Sequence, residues 1–186
     1  MNHLIADGLL VLKTQKEFPA HDLDTSRRIC ALGIVDSMNI RIADENDVPT
    51  VQELYTKFTG ENMEGVAVLD KEIVNQSVRS MIAQKALILA ELDGQAIGFM
   101  SGYFSQCHFS KDVMFASMFL FLKEGFRGLT YIFLHKVEEM LQSTDATKFV
   151  VASPAFKGSE RLDALYERCG FTLLEKHYAR EIYHAG

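Results

Sequence analysis

The stretch from Phe119 to Gln142, FLFLKEGFRGLTYIFLHKVEEMLQ, limits the folds open to this chain more than any other. It sets a buried strand, a glycine-bearing turn with one arginine, and an amphipathic helix directly end to end. Phe133, Val137, Met140 and Leu141 form the apolar stripe of that helix, with Lys136, Glu138 and Glu139 mostly opposite. A strand that ends in a tight turn at a helix start leaves backbone N–H groups unpaired and pointing outward, a ready site for phosphate. A plain strand–helix connection is the alternative use of the same residues.

The flanking sequence extends the pattern in both directions. Asn39 to Ala43 alternates as a short strand does, Asp44, Asn46 and Asp47 offer N-cap oxygens, and Pro49 suits a first helical turn. Val48, Val51, Tyr55 and Phe58 share one face of the helix that follows, which Gly60 to Gly65 is expected to break. A second helix is expected over Lys71 to Gln84, with Val74, Val78, Met81 and Ile82 inward. Strands over Ala86–Leu92 and Ala96–Phe104 flank Asp93-Gly94, a hairpin dipeptide. Gln106 to Asp112 reads as a loop, and Val113 to Leu122 as a central strand buried on both faces.

After the helix come a strand over Lys148–Ala152 and a connection from Ser153-Pro154 through Gly158. A helix over Glu160–Cys169 follows, closed by Gly170, and then a last strand or hairpin over Phe171–Ile182. The order β-α-α-β-β-β-α-β-α-β is a mixed α/β layer architecture. Residues 1–37 read differently, as an arm, an added element or an upstream extension, so the domain is placed over residues 38–186.

Composition sets outer bounds. At 186 residues the chain suits one domain with an appended segment. A net charge of −6 disfavours a sequence-independent nucleic-acid binder, and a mildly acidic surface tolerates a cationic acceptor. Cys30, Cys107 and Cys169 form no C-x-x-C pair and the six histidines are scattered, so no metal site is expected. No apolar run has the length of a membrane span, and Leu4 to Leu12 lacks the basic flank of a signal peptide. Cytoplasm is the expected location.

Three places carry a resemblance to a known family: the opening IRIADENDVPTVQELY at Ile40–Tyr55, the turn GFRGLTY at Gly125–Tyr131, and LDALYERCGF at Leu162–Phe171. The last is similar to the closing A-x-x-L-Y-x-x-x-G-F pattern of the GNAT superfamily of acetyl-CoA-dependent acyltransferases, and the resemblance covers Met38 to about Arg180. It implies a mixed, mostly antiparallel sheet with helices on both faces and a splayed central strand pair. It implies further that acetyl-CoA lies in the splay as co-substrate. Its pyrophosphate would sit on the N–H groups of Arg127, Gly128, Leu129, Thr130 and Tyr131. Backbone at Phe121 and Leu122 would pair with the pantetheine arm and polarise the thioester carbonyl. Ser159 falls where the family often places an asparagine near the cofactor, and Ser153 is a weaker contact of that kind. Thr130 and Ile132 depart from the family's Q/R-x-x-G-x-G/A, where small residues let the cofactor approach the backbone; Thr130 could cap the helix through its hydroxyl.

The resemblance assigns Tyr166 as the acid that protonates the coenzyme A sulfur; the structural alternative is a tyrosine packing the last helix on the sheet. For the base, Glu124 stands just before the turn, while Glu91, His108, Asp112 or a water chain are further options. The expected activity is N-acetyl transfer to an amine of a protein or small molecule, with no nucleic-acid or membrane partner and homodimer formation left open. Two readings compete: a GNAT-like domain without turnover that serves binding or assembly, and acyl transfer from an unusual donor. The acceptor site is expected between the first two helices, their connecting loop and the last hairpin.

Overall fold

The computed structural model describes residues 37–62, 70–107, 109–153 and 160–177. Expectations that fall on residues 1–36, on Gly65, on His108, on 154–159 with Ser159, and on 178–182 lie outside the described residues.

The chain runs β1 (Met38–Ile42), a 3-10 turn (Glu45–Asp47), α1 (Val48–Asn62), α2 (Lys71–Ala83), β2 (Leu87–Leu92), β3 (Gln95–Gln106) and β4 (Val113–Leu122). A second 3-10 turn (Arg127–Leu129), α3 (Thr130–Leu141), β5 (Ala146–Val150) and α4 (Glu160–Arg168) complete it. The strands lie in the sheet in chain order, β1-β2-β3-β4-β5. The first three pairings are antiparallel and β4–β5 is parallel, the two strands being joined through α3.

Local chemistry explains most boundaries. Asp44 accepts from the Asn46 N–H while its own N–H donates to Asp47, a reciprocal cap at the entry to α1. Asp70 accepts the Glu72 and Ile73 N–H groups and starts α2. Asp93 and Gly94 both have positive φ, 51° and 75°, as a two-residue hairpin turn requires. Gly60 does not end α1 as expected. The helix runs on to Asn62, because an exposed glycine in a last turn costs little when the preceding face is firmly packed.

That packed face is the core of one side of the sheet. Val51, Leu54, Tyr55 and Phe58 of α1, with Val78 and Ile82 of α2, meet Leu87, Leu89, Phe99 and Phe121. Tyr55 stacks on Phe99 with ring centroids 4.5 Å apart. Strand alternation puts Ile88, Ala90 and Met100 on the opposite side. There α3 buries Phe133, Leu134, Val137 and Leu141 and reaches β1 and β5. Helices thus cover both faces.

β4 departs from the expected strand buried on both faces. Ser101 pairs with Phe119 but Gly102 pairs with Ser117, so Met118 is an extra residue in the ladder and stands 47% exposed. Only Val113 to Ala116 pair with β5. From Ser117 to Leu122 the side of β4 turned toward β5 has no strand partner among the described residues, so the two strands form a V. The expected last strand is also absent from its described part, since no strand is assigned over Phe171–His177. α4 is closed by Gly170 (φ 88°), and the Phe171 N–H donates to the Tyr166 carbonyl. No described helix is long and apolar enough to cross a membrane.

Candidate active site

The V has a pinned vertex. The buried Ser117 hydroxyl accepts the Ala152 N–H at 3.2 Å, and the Tyr166 hydroxyl donates to the Ala152 carbonyl at 3.2 Å. Ala152, just past β5, is therefore held to β4 on one side and to α4 on the other. Tyr166 is only 6% exposed and meets Phe171 edge-on at 5.7 Å. Burial pushes its phenol above the ordinary tyrosine range, and Asp163 and Cys169 push the same way.

The arm of the V is the free side of β4. The Lys123 N–H donates to the Ile97 carbonyl on β3, and alternation then fixes the residues before it. Phe121, opposite Phe99, turns its N–H and carbonyl to β3 and its ring into the core. Phe121 is thus not the cofactor-facing backbone expected of it; Leu122, and Leu120 two residues earlier, direct their in-plane groups into the opening.

The mouth of the V is the turn. Gly125, at φ 88°, reverses the chain after β4. The Leu129 N–H donates to the Phe126 carbonyl at 2.8 Å and the Thr130 N–H to the Arg127 carbonyl, so two of the five expected phosphate donors are spent inside the turn. The Arg127 and Gly128 N–H groups donate to no acceptor among the described residues. Thr130 does not cap α3, because its buried hydroxyl donates to the Arg127 carbonyl at 2.7 Å. Leu129 stands at the N-cap position without a side-chain cap. The Arg127 guanidinium reaches Glu61 in the last turn of α1 at 2.5 Å. Tyr131 is partly exposed at the head of α3, and burial with nearby Cys169 and Glu138 raises its phenol.

The structure separates the two expected catalytic residues. Glu124 lies seven positions beyond Ser117, on the order of 20 Å along an extended strand, and is exposed. Tyr166 sits at the vertex and Glu124 at the mouth, so the two cannot act on one pair of reacting atoms. Of the other carboxylates, Glu91 is tied to Arg41 at 2.7 Å and Asp112 to Lys148 at 2.9 Å, before β4 begins. Ser153 follows Ala152 and is exposed, and Ser159 lies outside the described residues.

Beside the bulge a cleft of about 570 Å³ opens between α1, α2 and the β3–β4 hairpin. Tyr55, Phe58, Val74, Met81, Met118 and Phe119 supply apolar wall. Gln76, Ser77 and Ser80 of α2, with Gln84 at its C-cap, bring hydroxyls and amides. The Tyr55 hydroxyl is already committed to the buried Ser101 at 2.9 Å. Ser117, Ala152 and Leu120 were missed by sequence reasoning. The one available signal was a serine within the apolar run of β4.

No protein-family model and no curated protein sequence matches the chain. Solved structures do. A possible acetyltransferase from Clostridium difficile 630 superposes with a TM-score of 0.64 at 13% identity, over 79% of this chain and 99% of that one. Ribosomal-protein-alanine N-acetyltransferase from Brucella melitensis biovar Abortus 2308 gives a TM-score of 0.63 at 14% identity, over 78% and 99%. An aminoglycoside acetyltransferase from an uncultured soil metagenomic sample gives 0.62 at 15%, over 79% and 99%. The fold is the GNAT fold. The V, the bulge and the turn described above are this chain's version of that fold, and identities this low speak to fold alone.

Proposed function

We propose that this chain is an acetyl-CoA-dependent N-acetyltransferase acting on an amine. The observation that carries the reading is the V itself: strand backbone free on one side, an uncapped helix start at its mouth, and a buried phenol at its vertex. Acetyl-CoA supplies the acetyl group as an activated thioester. The Arg127 and Gly128 N–H groups and the head of α3 offer its pyrophosphate a cradle, with Leu129, Thr130 and Tyr131 shaping the turn. Leu120 and Leu122 offer its pantetheine arm an in-plane edge, as a strand offers a peptide. β4 from Ser117 to Leu122 rises about 17 Å, which puts the phosphates at one end and the sulfur near the other.

At that other end Tyr166 exchanges the Ala152 carbonyl for the leaving sulfur. The C–S bond breaks, the sulfur takes the phenol proton, and water restores it. The amine nitrogen gains the acetyl carbon and gives up a proton to water, since among the described residues no carboxylate lines the cleft. This assigns Glu124 no part in catalysis.

Calorimetry with acetyl-CoA tests the reading: no heat and no thermal shift at millimolar cofactor dismisses it and favours a binding module. Where binding is seen, Tyr166→Phe is expected to lower kcat by about 10–1,000-fold while cofactor affinity stays nearly unchanged. Equal turnover in that variant removes Tyr166 from the mechanism.

A further inference from the structure

Taking that reading as its basis, we propose that Ser117 is a positioning residue for the acid: through Ala152 it sets where the Tyr166 hydroxyl stands relative to the thioester. Ser117 carries the one hydroxyl in the apolar run of β4, VMFASMFLFL, and is 7% exposed. The ladder between β4 and β5 ends at Ala116 and Val150. Two residues beyond Val150, the Ala152 N–H donates to the Ser117 side chain in place of a strand carbonyl. A carbonyl is there whatever residue carries it, whereas this bond needs a hydroxyl at position 117. The place of Ala152 is thus set by one side chain, at the point where the strands part.

The consequence runs on to Tyr166. The Ala152 N–H belongs to the peptide group before its Cα, and the Ala152 carbonyl to the one after. Holding both restrains the two soft dihedrals of Ala152, so the bond from Ser117 governs the carbonyl to which the Tyr166 hydroxyl donates. Through that residue the Ser117 and Tyr166 oxygens stand no more than about 10 Å apart. Phe171 meets the Tyr166 ring edge-on and leaves the hydroxyl end to Ala152. The same strand β4 offers its Leu120 and Leu122 edge to the pantetheine arm. Acid and thioester are therefore referred to one strand, and Ser117 is the point at which the acid is tied to it. A displacement on the order of 1 Å between reacting groups can cost about 100-fold in rate, so loss of the tie reaches kcat. A serine that only satisfied a buried N–H at a strand end would act on stability alone.

Kinetics and NMR on the full chain test the tie with Ser117→Ala, Ser117→Thr, Tyr166→Phe and the double variant Ser117→Ala/Tyr166→Phe. Ser117→Ala is expected to lower kcat about 10–100-fold with KM for acetyl-CoA nearly unchanged. Ser117→Thr keeps the hydroxyl and is expected to regain most of that loss. In the Tyr166→Phe background Ser117→Ala is expected to cost less than about twofold more, because its effect passes through the phenol. Tyrosine labelled at Cζ gives a readout apart from turnover. The Tyr166 resonance, identified by its loss in Tyr166→Phe, is expected to move in Ser117→Ala and to return toward its wild-type position in Ser117→Thr. Ser117→Cys, a weaker acceptor of nearly the same volume, gives the same readout where Ser117→Ala does not fold. A resonance unmoved by the loss of the hydroxyl, or an equal kcat loss in both backgrounds, overturns the inference. Absence of acetyl-CoA binding in calorimetry alongside a moved resonance would dismiss the transferase reading and leave the tie from Ser117 to Tyr166 standing.

Discussion

Two buried phenols do different work in this molecule, and their protonation has a consequence for stability. Tyr55 donates to Ser101 inside the core, and burial pushes its pKa up to about 12 against the partial offset of that hydrogen bond. Tyr166 is raised further by its own burial. In the unfolded chain both ionise near pH 10. Above that pH the folded state binds more protons than the unfolded one, so stability is complete below pH 10 and falls as pH rises toward 12. The slope is at most about 1.4 kcal/mol per pH unit for each tyrosine. Thermal unfolding followed from pH 9 to 11 is expected to give a falling Tm, with a shallower fall in Tyr55→Phe. An unchanged slope in that variant would place the titration elsewhere.

At the scale of elements, β3 and β4 approach too closely for side chains at two points. A Cβ on Gly98 would stand 2.2 Å from the Phe121 carbonyl oxygen and 2.5 Å from Leu122 Cδ2. Backbone must therefore move, and the backbone that moves is the arm of the V. Gly98→Ala is expected to cost about 1–3 kcal/mol in urea unfolding and to weaken acetyl-CoA binding as well. Loss of stability with intact affinity would mean that the Leu122 edge is not where the pantetheine lies. The elements themselves were legible because their signals are local: helical spacing in α1, α2 and α3, the Asp93-Gly94 turn, the unbroken run of β4. The V was not, because it depends on where β5 stops pairing, and nothing in Ala146–Val150 announces that. For the same reason Glu124 looked adjacent to the chemistry. Nearness to the turn in sequence is distance from the vertex once the strand is laid out straight. The turn was singled out by its strand–glycine–helix pattern and Tyr166 by motif resemblance, whereas Ser117 and Leu120 carry their interest only through which way β4 faces.

Across the whole molecule, one arginine ties together three separately formed pieces. Arg41 on β1 bonds Asp47 in the first turn at 2.6 and 2.7 Å and Glu91 on β2 at 2.7 and 3.0 Å. Both carboxylates are largely shielded from solvent. Arg41→Met would leave them facing each other without a cation, at an expected cost of about 2 kcal/mol. The guanidinium holds the Asp47 carboxyl below its usual range, so its contribution is present above about pH 3.9 and lost as pH falls below that. The variant is therefore expected to unfold at lower urea at pH 7 and to lose less further stability between pH 5 and 3. Parallel losses in both proteins would show that the pair does not couple to folding.

The order of strands in the sheet also says something about time. Strands β2, β3 and β4 follow one another through connections of two and six residues, so those three strands can zip by short loops, whereas β1 reaches β2 only across α1 and α2. β5 follows α3 in the chain and attaches over four residue pairs. It is the seam with the fewest residue pairs, and so the one expected to open first. A molecule bound in the V would bridge that seam from both sides. Loaded chains would then resist unfolding by an amount that grows with the logarithm of the ligand concentration, and the site would serve as the clasp of the fold.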